Sequence, residues 1–226
     1  MKKSYLRIFS FVEAAMYAVA LNLLFLLCSL PVLTIGASLT ALYSGWRALI
    51  KKEPCLTAFF RTFRTGFVRA TLVWIILMPL NALLVFNTVT IAYYREQGSV
   101  PALVLSAVFA LLLLSITTMV FLFYSRFEAT PLQMLRYGGT ITLSHPLRAA
   151  LIAVLTWMPI PIALLQPMTF LLMGMVWLFF YFSTVAVGAI WIMNRPFAAF
   201  ARQALGMDIP TKTELTEDKG GQTNDF

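Results

Sequence analysis

Few residues in this sequence are equipped for chemistry, and their spacing excludes most of it. There is one histidine, His145, and there are two cysteines, Cys28 and Cys55. A zinc site draws three or four ligands from His, Cys and carboxylates, and the sequence brings no such set together. Glu13, Glu96 and Glu128 stand at the ends of apolar stretches, not within them. No His-Glu-x-x-His run, glycine-rich phosphate loop or Ser/His/Asp set is present. The reading is therefore of a non-enzyme that needs no cofactor. What remains is a set of uncharged polar residues deep in apolar runs: Asn22, Asn81, Asn87 and the Thr117-Thr118 pair. In lipid such groups hydrogen-bond across helices for about 1 kcal/mol each. Fixing helix packing is their simpler use, and lining a substrate path is the other. Pro31, Thr34 and Gly36 break the backbone between two apolar segments, which makes either a tight hairpin or, around a cavity, a substrate site.

The elements that hold these residues follow from composition. Of 226 residues, 60% are hydrophobic and 12% are charged, with a mean hydropathy of +0.83. A water-soluble domain carries about twice that charged fraction, so the surroundings of this chain are lipid. The net charge of +8 reads as basic loops facing anionic lipid, not as a nucleic-acid surface.

Uncharged stretches cover residues 14–46, 70–94, 97–125 and 149–194. A spanning helix takes about 20 residues. The middle two stretches hold one helix each, and the last holds two with a turn at Gln166-Pro167. The first is long for one helix and short for two, and charge decides between these. If it crosses twice, turning at 31–36, all of the 17 Lys and Arg except Arg95 fall on the cytoplasmic side. The expectation is an all-α membrane protein of six transmembrane helices, arranged as three hairpins with both termini cytoplasmic. The spans are about 9–30, 35–50, 70–93, 101–124, 148–166 and 169–193, within a single polytopic domain over 1–206. Residues 207–226 are polar and are expected to form a disordered cytoplasmic tail. The second span is short: about 16 residues rise roughly 24 Å against a hydrocarbon core about 30 Å thick. The alternative is five spans with residues 31–50 re-entrant.

Two loops are expected to lie on the membrane as cytoplasmic interfacial amphipathic helices. Over 59–69, Phe59, Phe60, Phe63 and Phe67 share one face, and Arg61, Arg64 and Arg69 lie on the other. Residues 131–144 repeat the design more weakly, with Arg136 on the polar side. Gly138-Gly139 weakens that helix in its middle and His145-Pro146 ends it, so His145 reads as a loop-end residue. An internal echo connects these units: Arg69-Ala70-Thr71-Leu72 with Arg148-Ala149-Ala150-Leu151, and Met78-Pro79-Leu80 with Met158-Pro159-Ile160. In the segment 35–50, Ala37, Ala41, Gly45 and Ala48 form a small-residue seam suited to packing on the first helix, with homo-oligomer contact as a second use.

The run Asn22-Leu23-Leu24-Phe25-Leu26-Leu27-Cys28-Ser29-Leu30-Pro31-Val32-Leu33-Thr34-Ile35-Gly36-Ala37-Ser38-Leu39-Thr40-Ala41-Leu42-Tyr43 resembles the signature of the YesL-like family of bacterial integral membrane proteins. Residues 59–69 and Ser144-His145-Pro146-Leu147-Arg148 are also similar. The resemblance implies a multi-pass protein of the bacterial cytoplasmic membrane. Because such proteins tend to be encoded near carbohydrate ABC transporters and glycan-degrading enzymes, it also implies a role in carbohydrate uptake. The leading expectation is an accessory or regulatory component whose partners are the bilayer and a carbohydrate ABC transporter or other membrane protein. The alternative is a small transporter or channel in its own right. A core permease subunit fits less well: Glu128-Ala129 begins like a coupling loop, but Met134 stands where its glycine is expected.

Overall fold

A computed structural model describes residues 2–94 and 100–205, and no strand occurs among them. Arg95, expected alone on the outer side, and the polar tail 207–226 lie outside the described residues. The helices are α1 (Lys2–Ser29), α2 (Ile35–Ile50), α3 (Cys55–Tyr93), α4 (Val100–Tyr124), α5 (Pro131–Ser144), α6 (Pro146–Trp157), α7 (Pro159–Leu165), α8 (Pro167–Leu172), α9 (Gly174–Val176) and α10 (Phe182–Leu205). A 3-10 turn, Val32–Thr34, precedes α2, and a π-helical turn, Trp177–Tyr181, precedes α10.

Five of the helical stretches are long and apolar enough to cross a membrane: Val12–Ser29, Cys55–Tyr93, Val100–Tyr124, Pro146–Ala163 and Gly174–Arg202. The segment 35–50 is not among them. It forms a 16-residue helix, as expected, but eleven of those residues are buried. Helix α2 is the centre around which α1, α3, α4 and α10 pack. Small residues permit this. A Cβ on Gly45 would come within 2.8 Å of Leu21, and one on Gly36 within 2.9 Å of both Phe121 and Trp74. The seam of Ala37, Ala41, Gly45 and Ala48 is buried throughout.

The aromatic-basic segment 59–69 is not a separate surface helix. It is the first part of α3, which continues without a break to Tyr93 over 39 residues, about 58 Å at 1.5 Å per residue. No proline or glycine pair interrupts the ladder between the two segments, so nothing ends the first helix before the second begins. Its aromatic face turns inward: Phe59 is fully buried, Phe63 and Phe67 pack against the core, and only Phe60 is exposed. Arg61, Arg64 and Arg69 are exposed on the opposite side. From Leu72 onward the exposed side chains of α3 are apolar, apart from Asn87 and Tyr93. One helix thus carries a charged half and a lipid-like half.

Helix α5 begins where its sequence directs. Thr130 and Gln133 form a reciprocal capping box ahead of Pro131 at the first helical position. The helix runs straight through Gly138-Gly139. Gly138 is a contact point, since a Cβ there would sit 2.9 Å from the Val120 Cα of α4, while Gly139 faces open space. His145 closes α5 and opens α6. The last expected span, 169–193, is less regular than the sequence indicates. Gln166 separates α7 from α8 as expected, but Met173 and the π-helical turn interrupt the path before α10.

Candidate functional site

The polar residues singled out from the sequence divide into three clusters at helix contacts. The first is built on Asn22, fully buried in α1. Its Nδ2 donates to the carbonyl oxygens of Trp177 at 3.0 Å and Leu178 at 2.6 Å. Its Oδ1 accepts from the backbone N–H of Ser183 at 3.0 Å, and the Ser183 hydroxyl donates to the Ala18 carbonyl at 2.7 Å. A π-helical turn displaces the regular backbone ladder by one residue. The carboxamide of Asn22 is in effect a spare peptide group, supplying donors and an acceptor where that ladder shifts.

The second cluster joins α3 to α4. The Asn81 Nδ2 donates to the Thr117 hydroxyl at 2.9 Å and to the Leu77 carbonyl at 2.7 Å. Pro79 cannot donate to the Ile75 carbonyl, but Asn81 reaches Leu77, so it does not mend the gap left by the proline. Two turns further on, Asn87 donates to the Ser106 hydroxyl at 3.0 Å, and Thr88 and Ser106 share a 2.7 Å contact. Ser106 carried no distinguishing signal in the sequence beyond being a small polar residue in an apolar run.

The third cluster surrounds a pair of tryptophans. Trp74 and Trp157 stack with ring centroids 5.7 Å apart and an interplanar angle of 2°. The Trp157 indole N–H donates to the Thr118 hydroxyl at 3.0 Å, and the Trp74 indole N–H donates to the Val32 carbonyl at 2.7 Å. Thr34 closes the same break, its hydroxyl lying 2.6 Å from the Cys28 carbonyl and 2.7 Å from that of Pro31. Pro31, Thr34 and Gly36 therefore make a capped hairpin seated against Trp74 and Phe121. Neither tryptophan stood out in the sequence, because an aromatic residue in an apolar span has no periodic signature of its own.

None of these side chains lines the groove between α6 and α10. That groove is open and apolar, about 280 Å³, and bordered by Ile152, Leu155, Tyr181, Thr184, Gly188 and Ile192, among others. No group of three or more His, Cys, Asp or Glu among the described residues could hold a metal ion. Arg61, Arg64, Arg69 and Arg136 are all exposed. They form no shared cluster with the buried amides.

Residues 18–88 match the family described as "Protein of unknown function, DUF624". The match spans less than half of the chain and includes both the 22–43 run and the first part of α3. The YesL-like proteins that the sequence resembles fall within that family. No curated protein and no solved structure matches the chain.

Proposed function

We propose that the chain is a non-enzymatic accessory component of a bacterial cytoplasmic membrane, associated with carbohydrate uptake. One observation supports an accessory role over a carrier. Asn22, Asn81, Asn87, Thr117 and Thr118 all hydrogen-bond to a neighbouring helix. A translocation path needs polar groups able to exchange protein partners for substrate. A side chain already engaged in helix contacts is poorly placed to do so. The long charged half of α3 gives such a component a cytoplasmic surface with which to meet a permease, a regulator or anionic lipid. The association with carbohydrate rests on the family resemblance of residues 22–43, 59–69 and 144–148 alone.

The same reading includes a topology. Trp74 is the middle residue of α3, and it holds Val32 at the tip of the α1–α2 hairpin. The hairpin tip therefore reaches only half the length of α3. In our reading α1 and α2 enter from the cytoplasmic side and return, while α3, α4, α6–α7 and α8–α10 cross completely. This arrangement keeps both termini and the basic loops in the cytoplasm without a full crossing by α2.

Crosslinking in native membranes during growth on a polysaccharide, followed by purification, tests the proposal. The expected result is recovery of sugar-permease subunits, lost when Arg61, Arg64 and Arg69 are together replaced by Gln. Sugar uptake by vesicles containing this protein alone, abolished by Asn22→Ala or Asn81→Ala, would instead establish a small transporter or channel.

A further inference from the structure

Arg47 and Arg126 both reach one turn of α10, at Phe197 and Asn194, and nothing anionic meets either. Arg47 lies in the last turn of α2, one of the most buried helices. Its Nε is buried without a hydrogen-bond partner, and its guanidinium sits 5.9 Å above the centroid of the Phe197 ring in α10. Arg126, in the turn after α4, meets the same stretch of α10, at Asn194, one turn before Phe197. Its Nη1 meets only the Asn194 Oδ1, at 3.4 Å, and its guanidinium lies 5.6 Å from the Phe127 ring centroid. Among the described residues no ion pair engages either guanidinium. Glu128, the carboxylate nearest to Arg126 in sequence, is exposed.

Withdrawing one guanidinium from water is unfavourable, and placing a second beside it adds repulsion. The ring of Phe197 and the C-terminal end of the α2 dipole each offset only part of this. The donor inventory is also one-sided. The Tyr43 hydroxyl, one turn before Arg47, is buried beside Thr156 without a well-formed hydrogen bond. Positive charge is buried here with only the long Arg126–Asn194 contact, and no anion, to receive it.

We propose that Arg47 and Arg126 form an anion site that takes a phosphate group, with Asn194 at its edge. Two guanidiniums offer parallel N–H donors that match the oxygens of a phosphate better than those of a lone carboxylate. Both stand at the end of the helices that also carries the exposed Arg61, Arg64 and Arg136, and the proposed source of the phosphate is a phospholipid headgroup or the surrounding solution.

The test is thermal unfolding of the full chain in a neutral detergent. One arm adds inorganic phosphate against chloride at matched ionic strength, and the other adds phosphatidylglycerol against phosphatidylcholine. The expected result is a rise in midpoint of several degrees with at least one probe. A response to phosphatidylglycerol alone identifies a lipid headgroup, and a response to inorganic phosphate identifies a soluble one. Arg47→Gln should abolish the rise. Asn194→Asp should do so differently: it places a carboxylate against Arg126, raises the midpoint without any probe, and removes the response. Absence of a rise with either probe, or a rise retained in Asn194→Asp, overturns the proposal, and neither outcome depends on Arg47→Gln folding.

Discussion

Replacing Asn22 by alanine tests whether a single carboxamide holds the irregular helix at 177–183 together. The side chain makes three hydrogen bonds to backbone groups of a segment more than 150 residues away in sequence. Interhelical hydrogen bonds in membrane proteins average about 0.6 kcal/mol and reach about 1.7, so three contribute about 2–3 kcal/mol when each is near or above the mean. The partners left behind are two carbonyls and one N–H, and an unsatisfied buried group costs about 1–3 kcal/mol. Relaxation of the π-helical turn toward a regular helix would recover part of this. A net loss of about 2–3 kcal/mol corresponds to about 5–10 °C in midpoint for a chain of this size. Asn87→Ala supplies the comparison. It removes one bond to Ser106 from an exposed position, so its loss should be under about 1 kcal/mol. Asn22→Asp should be as damaging as alanine, because a carboxylate keeps the acceptor for Ser183 but turns negative oxygens toward two carbonyls. Thermal unfolding in detergent, followed by circular dichroism at 222 nm, reads all three. If Asn22→Ala and Asn87→Ala shift the midpoint equally, or Asn22→Asp matches the parent protein, the amide is not completing the shifted ladder.

Three further outcomes are expected. Gly138→Ala should destabilise by about 1–3 kcal/mol through overpacking against the Val120 backbone, while Gly139→Ala, facing open space, should stabilise α5 by up to about 1 kcal/mol; their midpoints should move in opposite directions. Trp157→Phe should lower the midpoint by removing the bond to Thr118 and the stack on Trp74, and combining it with Thr118→Val should cost less than the sum of the two changes. Leu33→Cys, at the exposed tip of the α1–α2 hairpin and in a background without Cys28 and Cys55, should resist a membrane-impermeant thiol reagent added from outside. Labelling there in intact cells would mean that the hairpin crosses fully.

Much of the architecture was legible because hydropathy and charge are local quantities. An apolar run bounded by arginines declares itself whatever it packs against, so the boundaries of α4 and the turn at Gln166-Pro167 emerged close to where they lie. The helix end at His145-Pro146 is local in the same sense. Helix α2 shows the limit. Its sixteen residues have the composition of a short span, and composition does not distinguish burial in lipid from burial in protein. The signal that does is the run of small residues, read as a seam on one side when eleven of its sixteen residues are buried. Residues 59–69 show a second limit. An aromatic face opposite arginines has the same periodicity whether it meets headgroups or a neighbouring helix, and only the absence of a helix stop before Ala70 points to a continuous α3.

Polar partners were hidden for a related reason. The sequence marked Asn22, Asn81 and Asn87 because a polar group in an apolar run is costly, but it could not supply their partners. The partners are mostly backbone carbonyls and hydroxyls distant in sequence. Arg47 and Arg126 were hidden more completely, because each stands at the edge of an apolar stretch, where an arginine is read as a snorkelling cation. Burial pushes the Arg126 guanidinium below its ordinary value, which is not how a freely hydrated loop arginine behaves. The two kinds of buried polar group therefore carry different implications. The amides are both donors and acceptors, and they satisfy the protein's own irregular backbone. The guanidiniums are donors only, in a region where the available acceptors are few. The rings of Phe197 and Phe127 and the Asn194 side-chain oxygen offset only part of the cost of withdrawing two guanidiniums from water. An anion from outside the chain, as proposed for Arg47 and Arg126, would supply the missing acceptor.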